Sequence, residues 1–511
     1  MDVIAEARAT LSGPGSPARL SAIVLFAALS VSSLFAAEQS RVPIADFAPT
    51  IQSNQGGFFR CVGGTPNQIV DQMTPVGEPL SDAWRIEFYE IAPVTGIGVL
   101  IPLFDERSMP LGRPLTMTQG QELCLRILGD LNSRKLSIEI VSGTNVEASG
   151  LVVGTVDSNE LGSRKWHEFR LPMPPEVSKT NQPGFIRILA EGKGAGWFAI
   201  DSLALVQSGA LPAEPSPVSS AKKTLRKVLW VWKSNKILPE PKEVEALIKL
   251  CSLHGITDLL LNVPYSYEND VVQMQMIEQQ RAFLAAAHAR GITVHALDGG
   301  RDYVLRANHA RMLDLLDALG KFNQGGAPAQ RYAAIHLDNE PYLLAGWSDE
   351  SERSQIIREY IELYQKLRPR ADSLGMELGV DIPFWWDDRD RDGQPKLTYD
   401  TEADKQPLLE ALFPLIHNVG IMSYRKRVTG PNGIVFHCLN EFELGKKLGV
   451  DVFASMELGT GDDVEQGTTF GAYRWPYFHG QLDTLERILS HTPGSSGIAI
   501  HYYEPFAEAM K

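Results

Sequence analysis

After Lys223 the chain follows one grammar to its end: short apolar runs alternate with stretches whose apolar residues recur at helical spacing. Strands are expected at residues 228–232, 258–263, 292–297, 333–338, 376–384, 419–423, 451–457 and 497–501. Helices are expected at 240–254, where Val244, Leu247, Ile248 and Cys251 form one stripe, at 275–290 with Gly291 as C-cap, and at 307–319 and 350–374. Eight strand-then-helix units in roughly 290 residues have the size and rhythm of a (β/α)₈ TIM barrel, residues 224–511. An open doubly wound sheet shares the alternation, but no Gly-rich phosphate loop follows the first run.

Residues 41–207 read differently. Alternating runs such as 84–88, 123–128, 136–140, 166–171, 185–189 and 197–205 stand between Gly, Pro, Asn and Asp, with no helical stretch among them. That pattern predicts an all-β jelly-roll sandwich. Its last run, WFAIDSLAL, resembles the closing strand of carbohydrate-binding modules, which implies a sugar-binding accessory domain. Residues 208–223, rich in Pro, Ala and Ser, offer nothing to bury and read as a linker.

The first 37 residues carry an apolar run, 20–29, after Arg8 and Arg19 and before small residues ending at Ala36 and Ala37. This is the pattern of a cleaved signal peptide, and it predicts a secreted or periplasmic protein with no membrane contact after cleavage. A retained N-terminal anchor is the other reading. A net charge of −14 without a Lys/Arg cluster disfavours nucleic acid and anionic membranes and leaves neutral ligands such as sugars open. Cys61, Cys124, Cys251 and Cys438 match no zinc spacing; Cys61 and Cys124 share the first domain and could pair in an exported chain, a pairing the sequence leaves open.

In a barrel the working face is the C-terminal end of the strands. There the sequence places Trp232; Asn262 and Tyr265; Asp298 before Gly299-Gly300; His336, Asp338, Asn339 and Glu340; Asp381, Trp385, Trp386 and Asp387; Tyr424 and Arg425; Glu457; and His501, Tyr502, Tyr503 and Glu504. Carboxylates, amides, imidazoles and aromatic faces at nearly every strand end suit a carbohydrate. Two glutamates at two strand ends are what sugar-bond hydrolysis needs.

Asn339-Glu340-Pro341 resembles the strand-four element of clan A glycoside hydrolases. The resemblance implies that Glu340 is the acid/base, that Asn339 bonds the sugar 2-hydroxyl, and that Glu457, ending strand seven, is the nucleophile of a retaining double displacement. It implies that Tyr424 bonds the nucleophile and that no cofactor takes part. The pattern lacks an Arg after strand two and has Tyr502 where many members carry Trp. Read locally, Asp338 or Asn339 with Pro341 is also a helix start, and Glu457 a loop acid.

Asp338-Asn339-Glu340, Met422-Ser423-Tyr424 and Gly299-Gly300 resemble chitinase-type barrels as well. There the substrate acetamide is the nucleophile, Glu340 the single acid and Asp338 its orienting partner; His336 and Ala333 stand where that signature has Asp. Other expectations follow from composition. Trp385 and Trp386 offer a stacking platform, with one of them core. His501 either bonds substrate or satisfies a carbonyl. Residues 468–477 could cover the cleft. Asp388, Asp390 and Asp392 open like a calcium loop whose closing Glu is replaced by Tyr399, or form a solvated charged loop. Beside the hydrolase stand two further classes: a carbohydrate-binding barrel without turnover, and a scaffold whose first domain mediates contacts.

Overall fold

The computed structural model describes residues 41–45, 59–62, 69–77, 81–88, 97–103, 115, 117–132, 134–143, 145, 147–179, 183–192, 194–208, 223–269, 271–401, 405–460, 467–473 and 475–511. The expected leader and residues 209–222 of the expected linker lie outside these. Among the described residues no helix is long and apolar enough to cross a membrane.

The N-terminal part is two antiparallel sheets face to face. One runs Ile69–Val76, Ser81–Phe88, Gly196–Gln207, Gln121–Asp130, His167–Pro172, with Arg41–Ala45 also on Gly196–Gln207. The other runs Arg60–Val62, Ile97–Pro102, Pro183–Glu191, Lys135–Ser142, Leu151–Asp157. Alternate residues of both sheets fill the space between them, among them Trp84, Ile86, Val99, Ile127, Ile138 and Phe198, all buried. The strand containing WFAIDSLAL is central, and its register slips between Ile200 and Ser202, where buried Asp201 meets Arg126 at 2.5 Å. Cys61 and Cys124 lie in opposite sheets as free thiols.

Eight parallel strands then close on themselves: Arg226–Val231, Asp258–Asn262, Thr293–Asp298, Ala334–Leu337, Glu377–Pro383, Asn418–Met422, Asp451–Glu457 and Ser495–His501. The last pairs with the first, so the open-sheet alternative is excluded. The eight stretches coincide with the expected runs to within two residues at every end, because each was a continuous apolar run buried on both faces. Val228, Trp230, Leu260, Leu297, Phe453 and Ala499 pack the interior, with Trp232 and Tyr502 against them toward the mouth. The outward residues meet the helices, of which Pro241–His254, Ile277–His288, His309–Gln324 and Glu350–Leu374 stand near their expected places. A hairpin, Tyr265–Glu268 with Val271–Met274, was not expected.

The sandwich sits on the helix Trp475–Leu489 and on the loop after the sixth barrel strand. Buried Asp71 accepts from Trp84 Nε1 (3.3 Å), Thr429 Oγ1 (2.9 Å) and Gln481 Nε2 (3.3 Å), and Gln481 Oε1 in turn accepts from Val428 N (2.8 Å).

Candidate active site

Period two along the fourth strand decides which of its residues can act. Ile335 and Leu337 point outward and are fully buried among the helices. His336 points inward: its Nε2 lies 3.0 Å from Asp381 Oδ1, and Asp381 Oδ2 accepts from Trp230 Nε1 at 3.1 Å inside the barrel. Past the strand's end, Asp338 lies within reach of the charges of Asp381 and Glu340. Asn339 donates to Gly300 O (3.0 Å) and accepts from Tyr364 Oη (3.2 Å) of the helix Glu350–Leu374.

Two expectations are corrected here. Asn339 is buried with its amide spent on the wall, so it does not reach a sugar hydroxyl. His336 is 2% exposed and lies a layer below the mouth. The helix-start reading of this segment is also overturned. Pro341–Leu343 is a single 3₁₀ turn, and the long helix starts at Glu350 under Asp349, which accepts from Ser351 N and Glu352 N.

Gly299 lets the third and fourth strand ends approach: a Cβ there would overlap the Asp338 carbonyl. Gly299→Ala should therefore cost about 1–3 kcal/mol in urea unfolding, and displace Asp338 and Glu340 enough to impair the site. An unchanged midpoint would contradict this packing.

Asp338 lies among like charges. Burial, then the charges of Asp381 and Glu340, push its carboxyl well above the usual carboxylate range. A raised folded-state value means the native chain holds this proton more tightly than the unfolded chain does. Its stabilising contribution is therefore complete below the unfolded value of about 3.9 and is lost as pH rises through the folded value. Asp338→Asn should gain stability relative to wild type as pH is raised from about 4 to about 8. A pH-independent difference in urea midpoints would contradict that.

Glu340 accepts from Tyr342 Oη, whose own proton is held more firmly by burial and by the Glu340 charge. Tyr342 meets Trp385 edge-on at 5.5 Å, and Trp347 meets Trp385 at 6.5 Å, so an aromatic wall stands beside this glutamate. Trp386, by contrast, is 1% exposed and edge-on to Tyr360 at 5.4 Å. It belongs to the core and presents no face to a ligand.

Across the mouth, both oxygens of Glu457 accept hydrogen bonds. One takes Gly459 N–H, the other His501 Nδ1 at 2.7 Å. His501 Nε2 lies 2.9 Å from Trp232 Nε1. An indole nitrogen can only donate, so Nε2 must accept and Nδ1 must carry the proton it gives to Glu457. His501 is thus oriented from both sides, and Tyr424 stacks on it at 5.8 Å. Burial and the charges of Glu457, Asp381, Asp338 and Glu340, in that order, push the Tyr424 hydroxyl well above its ordinary range. One tyrosine therefore feels the carboxyls of strands four, five and seven together.

The remaining expected residues stand further out. Asp298 is buried and accepts from Tyr265 Oη at 2.6 Å; Tyr303 and Arg311 complete that cluster. Asn262 is half-buried, and its carbonyl accepts from Ser234. Tyr502 is half-buried under Lys233, 5.8 Å from its ring. Arg425 holds Tyr424 O (2.8 Å) and Asn432 Oδ1 (2.9 Å) and lies over Phe384 at 4.1 Å.

Asp388, Asp390 and Asp392 do not converge. Asp388 pairs with Lys396 at 2.9 Å, and Asp390 accepts from Asp392 N and Gln394 N in its own turn. Among the described residues no three His, Cys, Asp or Glu side chains are disposed to hold a metal ion. Thr469 braces the segment after strand seven, donating to Gly459 O at 2.6 Å, while Phe470 is buried.

Asp381 was expected at the working face, and the structure instead sets it inside the barrel against His336 and Trp230. Its signal was present: a lone acid inside the apolar run Gly379-Val380-Asp381-Ile382 must find partners or neutralise.

No family model matches the chain, and no curated relative does. Among solved structures, the CBM22-1–GH10 modules of a Clostridium thermocellum endo-1,4-beta-D-xylanase, complexed with xylohexaose, are 12% identical, with 89% of each chain covered and a TM-score of 0.36. A GH18 chitinase from Pseudoalteromonas aurantia is 14% identical over 56% of this chain and 98% of that one, TM-score 0.36. The Bacillus megaterium spore cortex-lytic enzyme SleL is 13% identical over 60% and 78%, TM-score 0.37. Values this low carry nothing about chemistry from those proteins to this chain.

Proposed function

We propose that this barrel hydrolyses an O-glycosidic bond of a poly- or oligosaccharide by a retaining double displacement. The observation that carries the reading is the convergence of the strand-four and strand-seven carboxyls on Tyr424. Their surroundings differ. Glu340 stands beside Asp338, whose carboxyl is pushed well above the usual carboxylate range by burial and by the charges of Asp381 and Glu340. Glu457 lies among donors, Gly459 N–H and His501 Nδ1–H.

In the first step Glu340 gives its proton to the glycosidic oxygen. The bond from that oxygen to the anomeric carbon breaks as a Glu457 oxygen bonds to the carbon. In the second, Glu340 takes a proton from water, the water oxygen bonds to the anomeric carbon, and Glu457 leaves as a carboxylate. His501 and Trp232 position Glu457, and Trp385 and Tyr342 offer faces for a sugar ring.

The test is turnover by the full chain on a panel of chromogenic glycosides and polysaccharides, with the product anomer followed by NMR. A first product of retained configuration is expected; an inverted one would sink the mechanism.

A second reading has its own support. With the Asn339 amide spent on the wall, the acids left at this strand end are Asp338 and Glu340, the pair a substrate-assisted hydrolase of N-acetyl sugars requires. It predicts that only 2-acetamido glycosides are cleaved and that Glu457→Gln remains active.

A further inference from the structure

Two groups of rings stand beside the two glutamates. Trp232 and Tyr424 meet His501, which holds Glu457. Tyr342 holds Glu340 and meets Trp385, which in turn meets Trp347. Among the described residues no ring of one group contacts a ring of the other.

The second group is the more open. Tyr342 and Trp347 come from the short 3₁₀ turns Pro341–Leu343 and Ala345–Ser348 after strand four, and Trp385 from Phe384–Asp387 after strand five. All three are half-buried. Each pair meets at 73°, so no ring is stacked flat on its neighbour.

Their polar edges are open as well. The indole N–H groups of Trp84, Trp230 and Trp232 are spent on Asp71, Asp381 and His501. Those of Trp347 and Trp385 meet no acceptor among the described residues, and neither is sealed from solvent. An aromatic face with a free donor at its rim suits a pyranose, which brings a C–H face and hydroxyl oxygens together.

The chemistry of the two glutamates gives each group a side. The oxygen that Glu340 protonates departs with the leaving group, whereas Glu457 bonds to the carbon of the sugar that stays. Rings tied to Glu340 and not to Glu457 therefore line the leaving-group side. We propose that Trp347 and Trp385 form the subsite for the leaving sugar and select for it. The proposal rests on the hydrolase reading, and adds to it the side of the scissile bond that these indoles serve.

The test compares two substrates of one series. One is whichever of cellohexaose, xylohexaose and chitohexaose the full chain cleaves fastest. The other is the matching trisaccharide fluoride, which fills the same subsites on the retained side but loses only fluoride. The ratio of their kcat/KM values cancels the retained side. Trp347→Ala and Trp385→Ala should each lower that ratio about tenfold or more. Trp347→Phe, which keeps a ring and loses the N–H, should lower it about fivefold, and it carries the test if the Ala variant fails to fold.

An unchanged ratio would overturn the proposal, whether both rates fall together or neither does. If no hexasaccharide and no fluoride is hydrolysed, the hydrolase reading falls, and calorimetric titration with the three hexasaccharides decides the rest. Binding that weakens about tenfold in Trp347→Ala would keep the indoles as a saccharide site. Absent binding, or equal binding in the variant, would overturn that too.

Discussion

Glu457→Gln is expected to lower turnover by about 10⁴-fold or more, because an amide oxygen cannot form the glycosyl ester on which the double displacement depends. Glu340→Gln should lose about 10²–10⁴-fold on substrates with poor leaving groups and less on activated aryl glycosides, which depart without a proton. Added azide should restore part of the Glu340→Gln rate by replacing the water that Glu340 activates. The two variants also differ in stability. A Gln at 457 can accept from Gly459 N–H, but its NH₂ then faces His501 Nδ1–H. If His501 moves its proton to Nε2, it loses the bond from Trp232. One hydrogen bond is sacrificed either way, about 1 kcal/mol, read from urea unfolding. Wild-type turnover in either variant would remove that residue from the reaction.

Asp71→Ala is expected to be the most destabilising single change away from the mouth, at about 3–5 kcal/mol. Asp71 is 1% exposed, and removing its carboxylate strands the donors Trp84 Nε1 and Thr429 Oγ1 at once and leaves the Arg427 charge without its carboxylate neighbour. Because Thr429 and Gln481 belong to the barrel, the loss should appear as earlier unfolding of the junction and as reduced turnover through the loop that carries Tyr424. Asp71→Asn, which keeps an acceptor for Trp84 or Thr429, should lose less. Equal stability of wild type and Asp71→Ala in urea would contradict this account of how the two parts are joined.

The barrel was legible because each of its strands is an apolar run that ends in polar residues. Glu457 and Tyr424 both meet His501 at neighbouring strand ends, a contact that follows from strand order. Asn339 was read as facing the sugar, and its burial was not visible in the sequence. The strand ends at Leu337, and the Asn339 side chain is taken up by Gly300 O and Tyr364 Oη, contacts with residues distant in sequence. The choice between Trp385 and Trp386 was not available from the sequence. Phe384–Asp387 is a 3₁₀ turn, where neither strand nor helix period says which side chain turns inward. The Asp71 junction left no local mark either, since its partners lie 358 and 410 residues away. The direction of the Trp232–His501–Glu457 chain follows only once three strands from both ends of the barrel are brought together.

The most direct measurement is to find where a trapped sugar is attached. The full chain would be incubated with the 2-deoxy-2-fluoro form, bearing a dinitrophenyl leaving group, of whichever glycoside it hydrolyses, then digested and mapped by mass spectrometry. The account predicts one glycosyl adduct, on the peptide containing Glu457, which is absent in Glu457→Gln. Attachment to another residue, or stoichiometric inactivation without any adduct at Glu457, would contradict it.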